Sequence, residues 1–470
     1  MHEKFVRFVG VCVVAVFVLS SVMPSFVATG DVEMTSVEPF YDLLIVSPSY
    51  WLDELQPLVE HKESFGMKTK LVGLDEVYDE MFWSGRDEAE QVKYFIKDAV
   101  ENWGIKYVLL VGGRVSQLNR WHCPVRYIGM GNDWESEILS DLYFADIYDS
   151  SGNFSSWDSN DDGVFAEWWY GDAPMDVDID HVPDIAVGRL PCRNSFEVKW
   201  SVAKIISYET STFGEDWFNR FVVIAGDTYP VESNPLWEGI EGEYYGDLAI
   251  ENMSGFDPIR LYTSDGSFSG RKDVIGAFND GAGFIYLVGH GSPMSWGNNR
   301  PGSAHDFVRG LWFFDVYLMH NMKKLPILVF SGCHNLQFDV GLMNFLDPVK
   351  RYHMEYVYES IGSLITNWRL GGSIVTLGCT ALGHTKEDKE AFTGGINELE
   401  VAMFHAYSSL GLEHVGDMWL EGLDWYAQTY PVDWYSTNQT IWQDCWVDLQ
   451  VPSTYVLFGD PSLKIGGYPQ

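Results

Sequence analysis

The chain has 470 residues, a formal net charge of −37 and an aromatic content of 15%. This surplus of negative charge argues against nucleic acid and anionic membranes as partners. The aromatic content is typical of a large packed core and excludes an intrinsically disordered chain. The length suffices for two domains or for one large domain in two parts.

Residues 1–28 are predicted to be a secretory signal peptide. Lys4 and Arg7 precede an apolar stretch over residues 8–19, and small and polar residues follow. A retained membrane anchor is the less favoured alternative, because the apolar stretch is short for a bilayer span. Residues 29–40 are predicted to be a linker. The mature protein is expected to be secreted or extracellular, with association with the cell surface as an alternative, and free of the membrane after cleavage.

Strands and helices alternate over the first half of the mature chain. The predicted strands are Tyr41–Ser47, Met67–Val72 and Tyr107–Val111, and the predicted helices are Leu52–Phe65 and Arg86–Trp103. This alternation predicts a parallel sheet with helices on both faces. We therefore expect an N-terminal α/β subdomain over residues 41–210.

An acidic and aromatic insert interrupts this pattern over residues 140–184. Within it, oxygen-bearing side chains at alternate positions precede Gly163, as in the first half of a calcium loop. The predicted ligands are Asp158, Asn160, Asp162 and Glu167. Glu167 would replace the bidentate glutamate, because Trp169 occupies its usual place. Clusters of Asp, Asn and Gly also form plain turns, but the density of carboxylates favours a structural Ca²⁺.

The second subdomain is predicted over residues 211–470. Its apolar strands end shortly before Asp227, His290, Cys333 and Cys379. In open α/β sheets, the loops past the carboxyl ends of parallel strands form the active crevice. The sequence therefore predicts these four side chains at one edge of a single sheet.

A thiol and an imidazole at such an edge suit nucleophilic catalysis. The five cysteines after the signal peptide are an odd number, so at least one lacks a partner within the chain. Cys333 is the candidate for a retained free thiol, and two glycines leave the space around His290 open. Cys379 with His384 is a competing pair. His334 is adjacent to Cys333 but points to the opposite side of an extended backbone.

Four motifs carry a resemblance that covers nearly the whole mature chain. They are Gly289-His-Gly-Ser292 followed by Trp296, Ser331-Gly-Cys333 followed by Phe338, Val187-Gly-Arg-Leu-Pro191, and Phe458-Gly-Asp-Pro-Ser-Leu463. Together and in this order they resemble the gingipain-type cysteine peptidases, peptidase family C25.

The resemblance implies a caspase-like α/β fold of three layers, with mostly parallel sheets in two subdomains. It implies a cysteine endopeptidase that cleaves protein or peptide substrates through a thioester. Cys333 would be the nucleophile and His290 the general acid and base. The amides of Gly291 and Cys333 would hold the oxyanion, Asp227 would orient the imidazole, and Ca²⁺ would stabilise the fold.

The resemblance also suggests a preference for Arg or Lys before the cleaved bond, bound by an acid between Asp227 and His290. Glu238, Glu241 and Glu243 lie in this interval, although carboxylates on a helix surface are an equal alternative. The residues predicted to bind substrate are Glu241, Glu243, Trp296, Cys379 and Thr380.

Two other functions remain open at this stage. A sortase-like transpeptidase of the same fold would pass the thioester to an amine. A non-catalytic surface binding module would retain the Cys–His pair without using it, and three Asn-X-Ser/Thr sequons are compatible with such a surface.

Overall fold

The computed structural model describes residues 40–230, 239–385 and 394–469. The predicted signal peptide and all but the last residue of the predicted linker lie outside these ranges. Within them, no helix combines the length and the apolar character that crossing a bilayer requires.

The described residues form seventeen strands and eleven α-helices. The strands are β1 (Leu43–Ser47), β2 (Thr69–Gly73), β3 (Tyr107–Val111), β4 (Tyr127–Ile128), β5 (Met130–Gly131), β6 (Ile138–Leu139), β7 (Trp168–Trp169), β8 (Ala186–Leu190), β9 (Arg220–Ala225), β10 (Asp257–Tyr262), β11 (Phe284–Leu287), β12 (His290–Ser292), β13 (Ser295–Asn299), β14 (Phe307–Trp312), β15 (Ile327–Phe330), β16 (Val375–Cys379) and β17 (Tyr455–Phe458). The helices are α1 (Leu52–Ser64), α2 (Leu74–Glu80), α3 (Glu88–Trp103), α4 (Ser195–Ser211), α5 (Glu241–Asn252), α6 (Arg271–Asp280), α7 (Pro348–Tyr352), α8 (Ile361–Asn367), α9 (Ile396–Leu410), α10 (Val415–Thr429) and α11 (Gln439–Thr454).

Ten of these strands form one sheet in the order β10-β9-β11-β15-β16-β17-β8-β3-β1-β2. All neighbours are parallel except β16 and β17, which are antiparallel. The inner strands β3, β11, β15 and β17 are continuous apolar runs, as expected for strands that are covered on both faces. In β9, Val222 and Ile224 belong to one core cluster, whereas Phe221 and Val223 belong to the other. The sheet is therefore the middle of three layers.

The predicted α/β class with mostly parallel strands is confirmed. The strands of the two predicted subdomains occupy opposite halves of the same sheet, and the pairing of β17 with β8 joins the halves. Since β17 is antiparallel to β16, the two halves run in opposite directions. Only the half that contains β9, β11, β15 and β16 directs its carboxyl ends toward the predicted site. The boundary near residue 210 stays a prediction.

Two of the four motifs have structural roles. Arg189 is fully buried, and its Nε and Nη2 atoms donate to the carboxylate of Asp141 at 2.7 Å each. Asp460 lies 2.8 Å from the buried Lys62 Nζ, which also contacts Glu209 at 2.7 Å. The first pair ties the insert to β8, and the second ties the segment after β17 to α1 and α4, so these motifs indicate the fold rather than the site.

Candidate active site

The predicted catalytic residues lie at one edge of the sheet, as the sequence indicates. His290 begins the short strand β12, which follows β11, and Cys333 lies in the turn after the neighbouring strand β15. Gly332 has a φ of +145°, which permits the sharp reversal before the cysteine.

The two turns pack directly against each other. A Cβ atom built on Gly332 would lie 3.0 Å from the amide nitrogen of Gly291. A Cβ atom built on Gly291 would lie 2.7 Å from the carbonyl oxygen of Cys333. Glycine is required on both sides of this contact, because any side chain there would separate the loop that carries Cys333 (the thiol loop) from the loop that carries His290 (the imidazole loop).

Asn335 fastens this contact and was missed by sequence reasoning. Its buried Nδ2 atom donates to the carbonyl oxygens of Ser292 at 2.9 Å and Ser295 at 3.3 Å. Its Oδ1 atom is buried next to Gly291, without a hydrogen-bond partner among the described residues. Nothing in the pattern of the sequence distinguishes this asparagine from others, because its role depends on two turns that meet only in the fold.

The thiol of Cys333 is half-buried and contacts the loop after β16. The amide of Gly383 donates to Sγ at 3.4 Å, and the Gly383 carbonyl oxygen lies 3.9 Å from Sγ. Burial raises the pKa of the Cys333 thiol, although the Gly383 amide favours the thiolate. The resting side chain is therefore a thiol that needs a base.

The imidazole of His290 is held by a backbone carbonyl. Nε2 lies 2.6 Å from the carbonyl oxygen of Thr228, and burial lowers the pKa of the ring. Because a carbonyl oxygen only accepts, Nε2 carries the hydrogen and Nδ1 is the basic nitrogen. The sequence predicted Asp227 as the orienting group, but its Oδ2 atom accepts from the amide of Gly302 at 2.7 Å. The hydrogen bond to the imidazole therefore comes from the backbone of Thr228, the residue after Asp227.

Asp227 forms a buried carboxyl pair with Glu241, the first residue of α5. Glu241 accepts from the amide of Tyr229. Asp227 Oδ1 and Glu241 Oε2 are both buried without a hydrogen-bond partner in the described part of the chain. Burial, and next to it the proximity of Asp227, raises the pKa of Glu241 to about 8. At neutral pH Glu241 is therefore protonated beside Asp227, and a cation next to it would favour its ionised form.

Glu243 does not fit the predicted role in substrate binding. Its carboxylate accepts from the amide of Ser264 at 2.9 Å and from the Ser264 hydroxyl at 2.6 Å. Burial raises the pKa of Glu243, and these hydrogen bonds act against that shift. The side chain fixes the loop after β10 and has no free oxygen directed at the site edge. Glu238 lies outside the described residues.

Trp296, Cys379 and Thr380 are likewise buried rather than open to substrate. Trp296 is 1% exposed, and its Nε1 atom donates to the carbonyl of Ser331 at 3.0 Å. Thr380 Oγ1 donates to the carbonyl of Leu139 at 2.6 Å. Cys379 is fully buried in β16, and burial raises the pKa of its thiol well above the usual range. Packing against the sheet is therefore the role of these side chains, and Cys379 is excluded as a competing nucleophile in this conformation.

A glutamate that precedes the insert, Glu135, supports the loop that contacts Cys333 and was also missed by sequence reasoning. Glu135 Oε1 accepts from the amide of Leu382 at 3.1 Å, and its Oε2 atom lies 3.6 Å from Nε2 of His334. Burial raises the pKa of Glu135 to about 8 and lowers that of His334 to about 3. Leu382 precedes Gly383, so Glu135 braces the loop that contacts Cys333.

The predicted calcium ligands lie in one loop, but they do not converge. Asp158 Oδ2 accepts from Nη1 of Arg86 at 2.5 Å, and Asp162 Oδ1 accepts from the amide of Val164 at 2.8 Å. Burial and the neighbouring carboxylate of Asp162 raise the pKa of Glu167. Across the described ranges, no three His, Cys, Asp or Glu side chains form a group that could hold a metal ion. Calcium binding here stays a prediction.

Comparison with known proteins identifies a family for this fold and site. The profile of peptidase family C25 matches residues 37–466. Gingipain R2 of Porphyromonas gingivalis is 21% identical over 315 residues, which cover 66% of this chain and 34% of the relative. Gingipain R1 of the same organism is 25% identical over 193 residues, which cover 40% of this chain and 18% of the relative. The chain spans about a third or less of the length of these curated relatives.

Two solved structures share the fold. They are the complex of the pro- and mature domains of Porphyromonas gingivalis RgpB and the Arg-specific cysteine proteinase gingipain R (RgpB). Each superposes with a TM-score of 0.60 at 18% identity and covers 90% of this chain. The match covers 79% of the first structure's chain and 78% of the second.

Proposed function

Because the chain belongs to peptidase family C25, we propose that it is a cysteine endopeptidase with Cys333 as nucleophile and His290 as general acid and base. The observation that carries this proposal is the direct packing of the Gly291 turn against the Gly332 turn at one sheet edge. This packing places the loop that carries the half-buried thiol of Cys333 against the loop that carries the neutral imidazole of His290, whereas Cys379 is fully buried in the core.

The chemistry follows from the protonation states of this pair. His290 Nδ1 accepts the thiol proton while Cys333 Sγ attacks the substrate carbonyl carbon. The carbonyl oxygen becomes an oxyanion, and the amides of Gly291 and Cys333 donate to it. When the C–N bond breaks, the imidazolium returns the proton to the leaving amine. Water then hydrolyses the thioester, with His290 as base, and the free thiol is restored.

Substitution of the two reacting side chains tests this assignment. Cys333→Ala and His290→Ala are expected to abolish peptide hydrolysis without changing the melting temperature much, whereas Cys379→Ala retains hydrolysis. A folded Cys333→Ala protein that still cleaves peptides would place the nucleophile elsewhere. Product analysis with an added amine acceptor separates hydrolysis from transpeptidation.

Within this function we propose that the enzyme prefers Arg or Lys before the cleaved bond. The support is the buried Asp227–Glu241 pair, because a guanidinium or ammonium group beside it would favour the ionised form of Glu241 and donate to its unpartnered Oε2 atom. Glu241→Gln is expected to reduce kcat/KM for arginine substrates more than for alanine substrates, whereas Glu251→Gln, an exposed site on the same helix, changes neither. A peptide library without preference for a basic residue would remove Glu241 from the pocket.

We also propose that the protein is exported and is stabilised by Ca²⁺. Export rests on the signal-like residues 1–28, and sequencing the amino terminus of secreted protein tests it. The calcium proposal rests on the carboxylates near Asp162 and Glu167, whose mutual repulsion a cation would relieve. Millimolar Ca²⁺ should raise the melting temperature of the wild type, and Asp162→Asn should abolish that rise. An equal rise in the variant would exclude this loop.

A further inference from the structure

A large apolar surface lies beside the thiol loops, and the proposed chemistry does not use it. It comprises the segment 342–354 together with Leu118 and Trp134, and it is called the 342–354 surface below. Its exposed apolar side chains are Leu118, Trp134, Leu342, Met343, Phe345, Leu346, Val349, Tyr352 and Met354. Leu346 is 72% exposed and Tyr352 is 74% exposed. Contiguous apolar surface of this kind on a folded protein marks an interaction site.

The 342–354 surface is physically continuous with the loops at Cys333. The ring of Trp134 stacks on that of His353 with centroids 3.9 Å apart. The next residue, Glu135, accepts from the amide of Leu382, and the residue after Leu382 donates to Cys333 Sγ. The apolar surface and the thiol therefore share one framework of contacts.

The charge of the surface contrasts with that of the whole chain. Lys350 lies close enough to Glu355 to oppose the rise in the pKa of that carboxyl, and Arg351 lies over the ring of Phe345 at 5.5 Å. Asp347 Oδ1 accepts from the amides of Val349 and Lys350. On a chain with a net charge of −37, this face therefore presents two basic side chains among apolar ones.

The shape of the surface favours a polypeptide over a bilayer. A cleft of about 780 Å³ enters it between Leu118, Met343, Leu346 and Lys350, with the amide side chains of Asn119 and Asn344 in its wall. Asn119 Oδ1 accepts from Arg114, and Asn344 Nδ2 donates to the carbonyl of Glu355, so Asn119 Nδ2 and Asn344 Oδ1 are the groups offered to a ligand. Amide groups in a concave wall match the hydrogen-bonding groups of an extended peptide, whereas an element that inserts into a bilayer presents a continuous apolar face.

We propose that the 342–354 surface is an exosite for extended polypeptide substrates whose apolar and acidic side chains lie some residues away from the cleaved bond. The role of an exosite rests on the proposed peptidase function, but binding to the surface can be tested without any peptidase activity. The apolar side chains of the substrate pack against Phe345 and Leu346, and its carboxylates pair with Lys350 and Arg351. The enzyme therefore selects unfolded protein segments over short peptides.

Binding to the full chain with Cys333→Ala tests the exosite without any turnover. The probe is fluorescein-labelled β-casein, a disordered acidic protein, followed by fluorescence anisotropy. Phe345→Ser with Leu346→Ser should weaken binding on the order of tenfold, which corresponds to about 1.4 kcal/mol. Lys350→Glu should weaken it most at low salt. The matched control, Phe196→Ser with Phe213→Ser, alters one exposed aromatic side chain in α4 and one after it, and should leave the affinity for β-casein unchanged.

If Cys333→Ala proteins with and without the Phe345→Ser and Leu346→Ser substitutions bind β-casein equally well, the proposal is overturned. Unchanged casein binding together with loss of sedimentation on phosphatidylglycerol vesicles would assign the surface to a bilayer and also overturn it. If the double variant binds casein normally but no longer forms a dimer in sedimentation velocity, the surface is a dimer interface and the proposal is also overturned.

Turnover by the active chain separates the exosite from the peptidase function. The double variant should raise KM for β-casein and leave kinetics on a short peptide amide unchanged. A wild type that cleaves neither substrate would refute the peptidase proposal, while the anisotropy result still decides the exosite.

Discussion

Adding one methyl group at Gly291 should disable the enzyme by separating the two loops that meet there. The new Cβ atom would lie 2.2 Å from Asn335 Oδ1 and 2.7 Å from the carbonyl oxygen of Cys333. Ordinary contacts begin at 3.4 Å, so the loops must separate by about 1 Å. A displacement of about 1 Å in a catalytic group costs on the order of 100-fold in rate. Overpacking of this kind also lowers the free energy of unfolding by about 1–3 kcal/mol.

The assay compares Gly291→Ala with Gly276→Ala, whose added Cβ atom in α6 meets no atom within 4 Å. Steady-state kinetics on a peptide amide and urea unfolding are measured for both variants. We expect kcat/KM to fall about 100-fold or more in Gly291→Ala and to stay at the wild-type level in Gly276→Ala. Wild-type kinetics and stability in Gly291→Ala would show that the two loops are not in the described contact, and the reasoning would fail.

Two further predictions concern protonation and buried charge. Burial raises the pKa of the Cys333 thiol above its ordinary value of 9.0, so the rate of alkylation by iodoacetamide should still increase as the pH passes 9. Burial lowers the pKa of His290 below its ordinary value of 6.5, so kcat/KM should decline only below pH 6.5, where the imidazole becomes protonated. A rate of alkylation that is already constant at neutral pH would instead indicate a resting thiolate–imidazolium pair. Lys62→Met should lower the free energy of unfolding by about 3–5 kcal/mol, because Asp460 stays buried without its cation and Glu209 keeps only the contact with His61. A change below about 1 kcal/mol in urea unfolding would show that this buried ion pair is not formed.

The sequence predicted the sheet edge because strand patterns report burial directly. The apolar runs before Asp227, His290, Cys333 and Cys379 end together because β9, β11, β15 and β16 are parallel neighbours. Their order in the sheet could not be read from the chain, since apolar runs are alike in composition. The pairing of β17 with β8, which places both halves in one sheet, could not be predicted either, because apolar runs do not specify their pairing partners.

Where the site differs from the expectation, the difference lies in side-chain direction, which a residue type does not specify. Glu241 and Glu243 are two positions apart on one helix, yet the first meets Asp227 and the second closes a loop at Ser264. A threonine carbonyl contacts His290 where a carboxylate was expected, because backbone oxygens are invisible to motif reasoning. Asn335 and Glu135 act between segments that are distant in sequence.

Covalent capture by a peptidyl acyloxymethyl ketone, located by mass spectrometry in the folded protein, identifies the nucleophile directly. We expect a single adduct on Cys333, which is lost in Cys333→Ala and greatly slowed in His290→Ala. An adduct on Cys379, or a folded protein in which Cys333 reacts no faster than a small thiol in solution, would contradict this expectation.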